Sequence, residues 1–224
     1  MSRIARVIIP GWPYHVVHRG NNGQPIFHDK EDMQIYIRLA HVYKERWNCR
    51  ILGYSLMPNH VHLLIIPTEN PSLAKTMQGI SLCYTQEINR KYKRTGRLWE
   101  ARYFSSVNDK DRYFWAVVRY IDWNSVRAGI VSKLQDYHWS SARMHILGTE
   151  DPLVDPRDLK EFGEINQYRS YIANAETEKD IGIIRKMTRK GLPIGNFEFQ
   201  QVIESKANRK LIPRKVGRPP KIGT

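Results

Sequence analysis

Cysteine is scarce in this sequence, with two among 224 residues. Cys49 and Cys83 lack any metal-type spacing, and this usage is typical of reduced thiols in a cytosol, so we interpret both as packing residues. Long apolar runs are absent as well. None approaches the ~20 residues that span a bilayer, and the first ten residues lack the longer apolar core of a signal peptide. The sequence therefore argues against a membrane-bound protein.

Acidic residues are few relative to basic ones. The 36 Lys and Arg residues outnumber the 22 Asp and Glu residues, which gives a formal net charge of +14. An excess of this kind is the electrostatic footprint of a protein that neutralises nucleic-acid phosphates. A membrane surface would also attract these cations, but the absence of an apolar span disfavours that alternative.

Two histidines one residue apart stand in an apolar segment at residues 57–66. In an extended strand the side chains at i and i+2 point to the same face, so His60 and His62 would present two imidazoles side by side. That arrangement is half of a metal site. From the spacing alone, a pair of unrelated histidines is as plausible as a metal site, so a third ligand is needed to distinguish the two.

A tyrosine and an asparagine four residues apart supply further candidates. Residues 109–129 predict a helix, with Asp109 as its N-cap and Gly129 just beyond its end. Tyr120 and Asn124 then lie one above the other on a single helix face. An amide oxygen can complete a hard-metal site, and a phenol can act as a nucleophile. Taken alone, a tyrosine such as Tyr120 is more often a structural residue of the core than a nucleophile. Its spacing to Asn124 and the separate histidine pair favour the nucleophile instead.

These two motifs together resemble the single-tyrosine HUH transposases and, within them, the REP-associated tyrosine transposases. The similarity covers roughly residues 3 to 147. It implies a cytoplasmic protein that acts on single-stranded DNA hairpins with a short unpaired guide, as a monomer or a homodimer. Ser125 departs from the family, which usually has proline after the asparagine, and we expect a local change of geometry without lost chemistry.

The resemblance also implies a mechanism. Tyr120 would attack the scissile phosphate, giving a 5′-phosphotyrosyl intermediate and a free 3′-OH, with His60 and His62 as catalytic residues. His60, His62 and Asn124 would hold a divalent metal that polarises the phosphate. Mg²⁺ or Mn²⁺ suits this site, while zinc stays open. Two other functions also remain open: a catalytically inert regulator that binds hairpin DNA, and a metal phosphoesterase in which water attacks.

The predicted elements follow the order strand, helix, strand, strand, helix, strand. Strands are predicted at residues 14–19, 51–56, 61–66 and 103–107, and helices at residues 29–47 and 71–92. This order is typical of an α+β, ferredoxin-like (split βαβ) fold, in which two helices cover one face of an antiparallel sheet. The histidine strand should be central, and its other face should leave room for the Tyr120 helix.

Two groups of residues are candidate DNA contacts. Residues 10–15 and 19–22 mix aromatic, amide and arginine side chains, which suit unpaired bases. Basic residues near the end of the second helix suit hairpin phosphates, with a solvated helix end as an equal alternative. The candidates are Trp12, Arg19, Asn21, Asn22, Lys91, Lys93, Arg94, Arg97 and Arg102.

The predicted organisation has three parts: a catalytic domain at residues 1–148, a helical extension at 149–190, and a basic DNA-binding tail at 191–224. From residue 185 onward, eleven basic residues face two acidic ones. The end resembles an AT-hook, whose Gly-Arg-Pro core lies in a narrow minor groove. Its candidate contacts are Arg214, Lys215, Arg218 and Lys221. Valine replaces the first arginine of the usual core, and a plain solvated tail is an equal alternative.

Overall fold

A computed structural model describes residues 8–111, 113–173 and 176–211. The first elements are β1 (Tyr14–Arg19), α1 (Lys30–Arg46), β2 (Cys49–Met57), β3 (His60–Pro67), α2 (Ser72–Lys91) and β4 (Phe104–Val107). All their boundaries lie within two residues of the predicted ones. The strands form one antiparallel sheet in the order β2-β3-β1-β4, with the histidine strand β3 in the interior. This is the ferredoxin-like topology, and the predicted α+β fold is confirmed.

Helices α1 and α2 pack together on one face of the sheet. Asp29 caps α1, because its carboxylate accepts a hydrogen bond from the amide of Asp32 at 3.0 Å. His18 of β1 points to this face and stacks on Trp99 with 3.9 Å between ring centroids. Since side chains alternate along a strand, His15 points to the opposite face.

The helix that carries the predicted nucleophile is shorter than expected and broken. α3 spans Phe114–Asp122 and the one-turn α4 spans Asn124–Arg127. The prediction of Asp109 as N-cap was wrong: its carboxylate accepts from the amide of Asp111, in a turn that precedes the helix. Such a local side-chain bond competes with helix formation for the same backbone. Gly129 does follow the last helical turn, with the left-handed φ of +69° that glycine adopts freely.

The opposite face of the sheet carries more than the Tyr120 helix. α3 packs over β2 and β3, and a later helix, α7 (Glu178–Lys190), packs over β4 and β1. The side chains of Ile181 and Ile184 are buried beneath α7. Thr177 caps the start of this helix, since its hydroxyl accepts from the amide of Asp180. α7 therefore covers the half of the sheet that α3 leaves exposed.

The residues beyond position 148 pack into the same hydrophobic core. α5 (Ala142–Leu147), α6 (Ile165–Ile172) and α8 (Phe197–Lys206) complete the described chain. α8 lies inside the segment predicted as a basic tail, and its Phe199 and Ile203 are buried in the core cluster. Among the described residues, no helix combines the length and apolarity needed to cross a membrane.

The predicted AT-hook-like contacts Arg214, Lys215, Arg218 and Lys221 lie outside the described residues.

Candidate active site

A cavity of about 400 Å³ lies where α3, α4 and α7 meet the sheet. Its lining includes all four residues that the two sequence motifs singled out, His60, His62, Tyr120 and Asn124. β3 supplies the histidines, and the broken helix supplies the tyrosine and the asparagine. The tertiary structure therefore brings the two motifs, separated by about sixty residues of sequence, into one site.

The rings of the two histidines lie close together, and each is held through its Nδ1. Their ring centroids are 4.9 Å apart. The Nδ1 of His60 is hydrogen-bonded to the Oδ1 of Asn59 at 2.7 Å, and the Nδ1 of His62 to the Nε2 of His15 at 2.9 Å. Partners of this kind orient a ligating imidazole and leave its Nε2 available. The donor set therefore fits a divalent metal.

Both imidazoles are also held in the neutral form. Burial, together with the nearby charge of Arg19, lowers the pKa of His60 to about 4. The pKa of His62 lies well below its ordinary value, because burial disfavours the charged ring and the neighbouring His60 and His15 add to the effect. Only the neutral form carries the free lone pair that binds a metal.

The Tyr120 side chain packs directly against the histidines. Its ring lies edge-on to His62 at 5.6 Å and to His15 at 5.5 Å between centroids. The guanidinium of Arg127 lies over the ring, 4.6 Å from its centroid, a cation–π contact. The phenol is 4% exposed. These contacts involve the ring, so they orient the phenol without depending on its oxygen.

Asn124 makes contacts that differ from those expected of a metal ligand. Its amide nitrogen donates to the carbonyls of Tyr120 at 3.0 Å and Ile121 at 3.2 Å, and its oxygen accepts from Arg127 at 2.9 Å. The oxygen has a second lone pair, but a metal bound there would lie beside the Arg127 cation. Asn124 thus satisfies carbonyls at the break between α3 and α4, and its role as a ligand stays a prediction.

The part of the chain that the structure describes groups no third His, Cys, Asp or Glu side chain with His60 and His62 as a metal ligand. Within the described ranges, no three His, Cys, Asp or Glu residues are grouped so as to hold a metal ion. A cation on His60 and His62 would complete its coordination with an amide oxygen, water or phosphate oxygens, which suits Mg²⁺ or Mn²⁺.

Sequence reasoning missed Arg127, His15 and Thr188, which also line the cavity. Arg127 contacts the tyrosine ring, and His15 links His62 to Thr188, whose hydroxyl oxygen lies 2.8 Å from the Nδ1 of His15. Burial lowers the pKa of His15 to about 3, so this ring is neutral too. Strand alternation could have placed His15 on the correct face, but only the register of β1 against β3 brings it to His62.

The residues near the N-terminus that were predicted to contact bases differ in where they lie and how far they are buried. Arg19 lines the cavity, and Asn21 and Asn22 form a short 3₁₀ turn just after β1. Trp12 is half-buried and packs on Phe199 of α8 at 5.4 Å between ring centroids. Trp12 is therefore partly committed to packing, and base recognition by this group stays a prediction.

The predicted phosphate contacts near the end of α2 separate into two kinds. The ammonium of Lys91 pairs with Asp29 at 2.8 Å, Glu31 at 2.7 Å and Asp32 at 2.9 Å, so the structure commits it to holding α1 and α2 together. A phosphate contact by Lys91 is not supported. The other candidates, at least partly exposed, are Lys93, Arg94, Arg97 and Arg102.

Comparison with known proteins identifies the family. The model of IS200-like transposases matches residues 10–124, which include His60, His62, Tyr120 and Asn124. No curated protein matches the sequence. A solved structure of a REP-associated tyrosine transposase bound to a REP hairpin shares the fold: the TM-score is 0.57, the identity is 17%, and the match covers 69% of this chain and 92% of that one. The chain belongs to the IS200-like transposase family.

Proposed function

We propose that the protein is a metal-dependent enzyme that nicks single-stranded DNA and transfers strands at REP-like hairpins, through a 5′-phosphotyrosyl intermediate on Tyr120. The observation that carries this proposal is the Tyr120 ring, 5.6 Å from the ring of His62 in one cavity. Membership of a transposase family supports it, and so does the REP hairpin bound to the structural relative. A cytoplasmic location is part of the same proposal.

In the proposed reaction, the phenol oxygen of Tyr120 bonds to the scissile phosphorus while the bond from phosphorus to the 3′ oxygen breaks. The phenol gives its proton to water, and the departing 3′ oxygen takes one up from water, so this strand ends in a 3′-OH. This hydroxyl can later attack the phosphotyrosyl bond, so no nucleoside triphosphate is consumed. A divalent metal held by His60 and His62 would polarise the phosphate and offset its developing charge. Arg127 keeps the tyrosine ring in place.

The proposal is tested by searching for the intermediate. Labelled single-stranded hairpin DNA is incubated with the protein and Mg²⁺ or Mn²⁺, denatured, and analysed for a labelled band at the mass of the protein. A conjugate that survives denaturation supports the tyrosine mechanism. Cleavage without a conjugate would instead identify a phosphoesterase that uses water, and binding without cleavage would identify an inert hairpin-binding regulator.

Replacing His60 or His62 by alanine is expected to lower the affinity for Mn²⁺ by about a hundredfold or more, because each removes one of two imidazole ligands. Titration calorimetry measures this without any DNA. His41→Ala is the matched control, since His41 is exposed and does not line the cavity. Unchanged Mn²⁺ affinity in both site variants would reject the ligand assignment.

Removing residues 212–224 is expected to weaken DNA binding and to flatten its salt dependence. This segment carries the four cations of the AT-hook-like end, and each lost duplex phosphate contact reduces the slope of log affinity against log salt by about 0.9. The truncation must begin after Leu211, since α8 is packed into the core. Cleavage of a saturating hairpin should survive.

If the tail is an AT-hook, replacing Arg218 by alanine should weaken binding to A·T-tract duplexes more than binding to G·C duplexes. Only A·T tracts have the narrow minor groove that an AT-hook binds. Equal losses would reduce the tail to a nonspecific arm. If truncation left the slope of log affinity against log salt unchanged, the tail would not contact DNA.

A further inference from the structure

Helix α7 lies outside the family match, yet it forms a wall of the candidate active site. The match ends at residue 124, whereas α7 spans Glu178–Lys190. It packs on the sheet through a buried stripe of Ile181, Ile184 and Thr188. This helix is therefore part of the core, and the side chains beside the stripe have fixed positions relative to the site.

Thr188 ties α7 to the predicted metal ligands. Its hydroxyl is hydrogen-bonded to the Nδ1 of His15 at 2.8 Å, and the Nε2 of His15 is hydrogen-bonded to the Nδ1 of His62 at 2.9 Å. Three side chains thus connect the helix to the histidine pair. The cavity-facing side of α7 around Thr188 is consequently held close to His62.

Two arginines of α7 flank Thr188 on the cavity side. Arg185 and Arg189 are four residues apart, so they share one face of the helix, with about 5–6 Å between their Cβ atoms. Both line the cavity that contains His62 and Tyr120, and both are exposed to solvent. Two guanidinium groups therefore stand one helical turn apart at the rim of the site.

Neither guanidinium is neutralised by the part of the chain that the structure describes. No ion pair or hydrogen bond joins Arg185 or Arg189 to another described residue. Glu176 acts electrostatically on Arg185, but its carboxylate pairs with Arg127 instead. Like charges at i and i+4 repel each other, and an anion bound between them would relieve that repulsion.

We infer that Arg185 and Arg189 bind the phosphate backbone of a single DNA strand next to the scissile phosphate. Arginine presents a planar fork that holds phosphate oxygens through two parallel N–H···O bonds. A cavity of about 400 Å³ is of the size that holds a group as large as one nucleotide of a single strand. The inference rests on the proposed function, because it takes the reacting strand to lie across His60 and His62.

The test compares two double variants of the same helix. Arg185→Ala/Arg189→Ala and Lys186→Ala/Lys190→Ala each remove two positive charges one turn apart. Lys186 and Lys190 are exposed but do not line the cavity. Fluorescence anisotropy measures affinity for a labelled thymidine oligonucleotide of about 15 nucleotides and for a blunt duplex of similar length. The measurements are made in EDTA over a range of salt.

The arginine variant is expected to lose about tenfold or more in affinity for the oligonucleotide. Its plot of log affinity against log salt should be flatter by about 1.4, because each lost single-strand phosphate contact removes about 0.7. The lysine variant should change affinity by less than about twofold. Equal losses in the two variants, no loss in the arginine variant, or an equal loss on the duplex would each overturn the inference.

This result is separable from the proposed function. Binding in EDTA requires neither a metal nor attack by Tyr120, so failure to find a conjugate with the wild-type protein would reject the tyrosine mechanism alone. Conversely, a conjugate formed by a protein whose arginine variant binds the oligonucleotide normally would reject the inference alone. Equal melting temperatures of the two double variants are the check that both are folded.

Discussion

Replacing Tyr120 by phenylalanine is expected to abolish the covalent DNA conjugate and to slow strand cleavage by about a thousandfold or more. Phenylalanine keeps the ring, whose contacts with His15, His62 and Arg127 do not involve the hydroxyl oxygen. Hairpin affinity and melting temperature should therefore stay at their wild-type values. Denaturing gels measure cleavage and conjugate in one experiment, and anisotropy measures binding.

Tyr113→Phe is the matched control for this experiment. Tyr113 directly precedes α3, so its substitution tests whether any tyrosine of this segment affects cleavage. We expect near wild-type cleavage from the Tyr113 variant. Near wild-type cleavage by the Tyr120 variant would instead assign the attack to water or to another tyrosine.

Replacing Asp122 by alanine is expected to lower the free energy of unfolding by about 3–5 kcal/mol. Its carboxylate is fully buried at the end of α3 and accepts hydrogen bonds from the Nδ1 of His145 and the hydroxyl of Tyr168, each at 2.7 Å. The Nε2 of His145 lies 3.0 Å from the carbonyl oxygen of Leu52. Because both ring nitrogens face acceptors, the substitution leaves a buried imidazolium without its counter-charge.

Urea denaturation measures this loss, and Asp136→Ala supplies the control. Asp136 is exposed, so its removal should change the unfolding free energy by no more than about 0.5 kcal/mol. Losses of similar size in the two variants would contradict the structural role of Asp122. Because Tyr120 lies two residues before Asp122 on α3, the buried network also holds the helix that presents the phenol.

The same network predicts how stability depends on pH. Burial by itself lowers the pKa of His145, but the Asp122 carboxylate, assisted by the Leu52 carbonyl and Asp151, more than offsets this, and the net shift is upward from 6.5. A raised pKa contributes stability that is fully present below about pH 6.5 and is lost as the pH rises through the folded-state value. Unfolding free energies measured from pH 6 upward should fall in the wild type, and this fall should be smaller in Asp122→Asn.

Local patterns were sufficient to predict the sheet, the first two helices and the two halves of the site. Strand alternation placed His60 and His62 on one face, and helical spacing placed Tyr120 above Asn124, because both periods depend only on backbone geometry. The cap of α1 at Asp29 was not predicted, although it is local too, since an N-cap contacts amides within its own first turn. The same local rule gave a wrong prediction at Asp109, because its carboxylate accepts a hydrogen bond within a turn instead of capping the helix.

Only the tertiary structure decided what surrounds those residues. Thr188 reaches His15 across 173 positions of sequence, and no periodicity or motif links two segments so far apart. The charges of Lys91 and Arg127 are committed to carboxylates that come together only when their segments pack. Backbone geometry thus determined which side chains share a face, whereas the packing of distant segments determined that α7 walls the cavity and leaves Arg185 and Arg189 without a partner among the described residues.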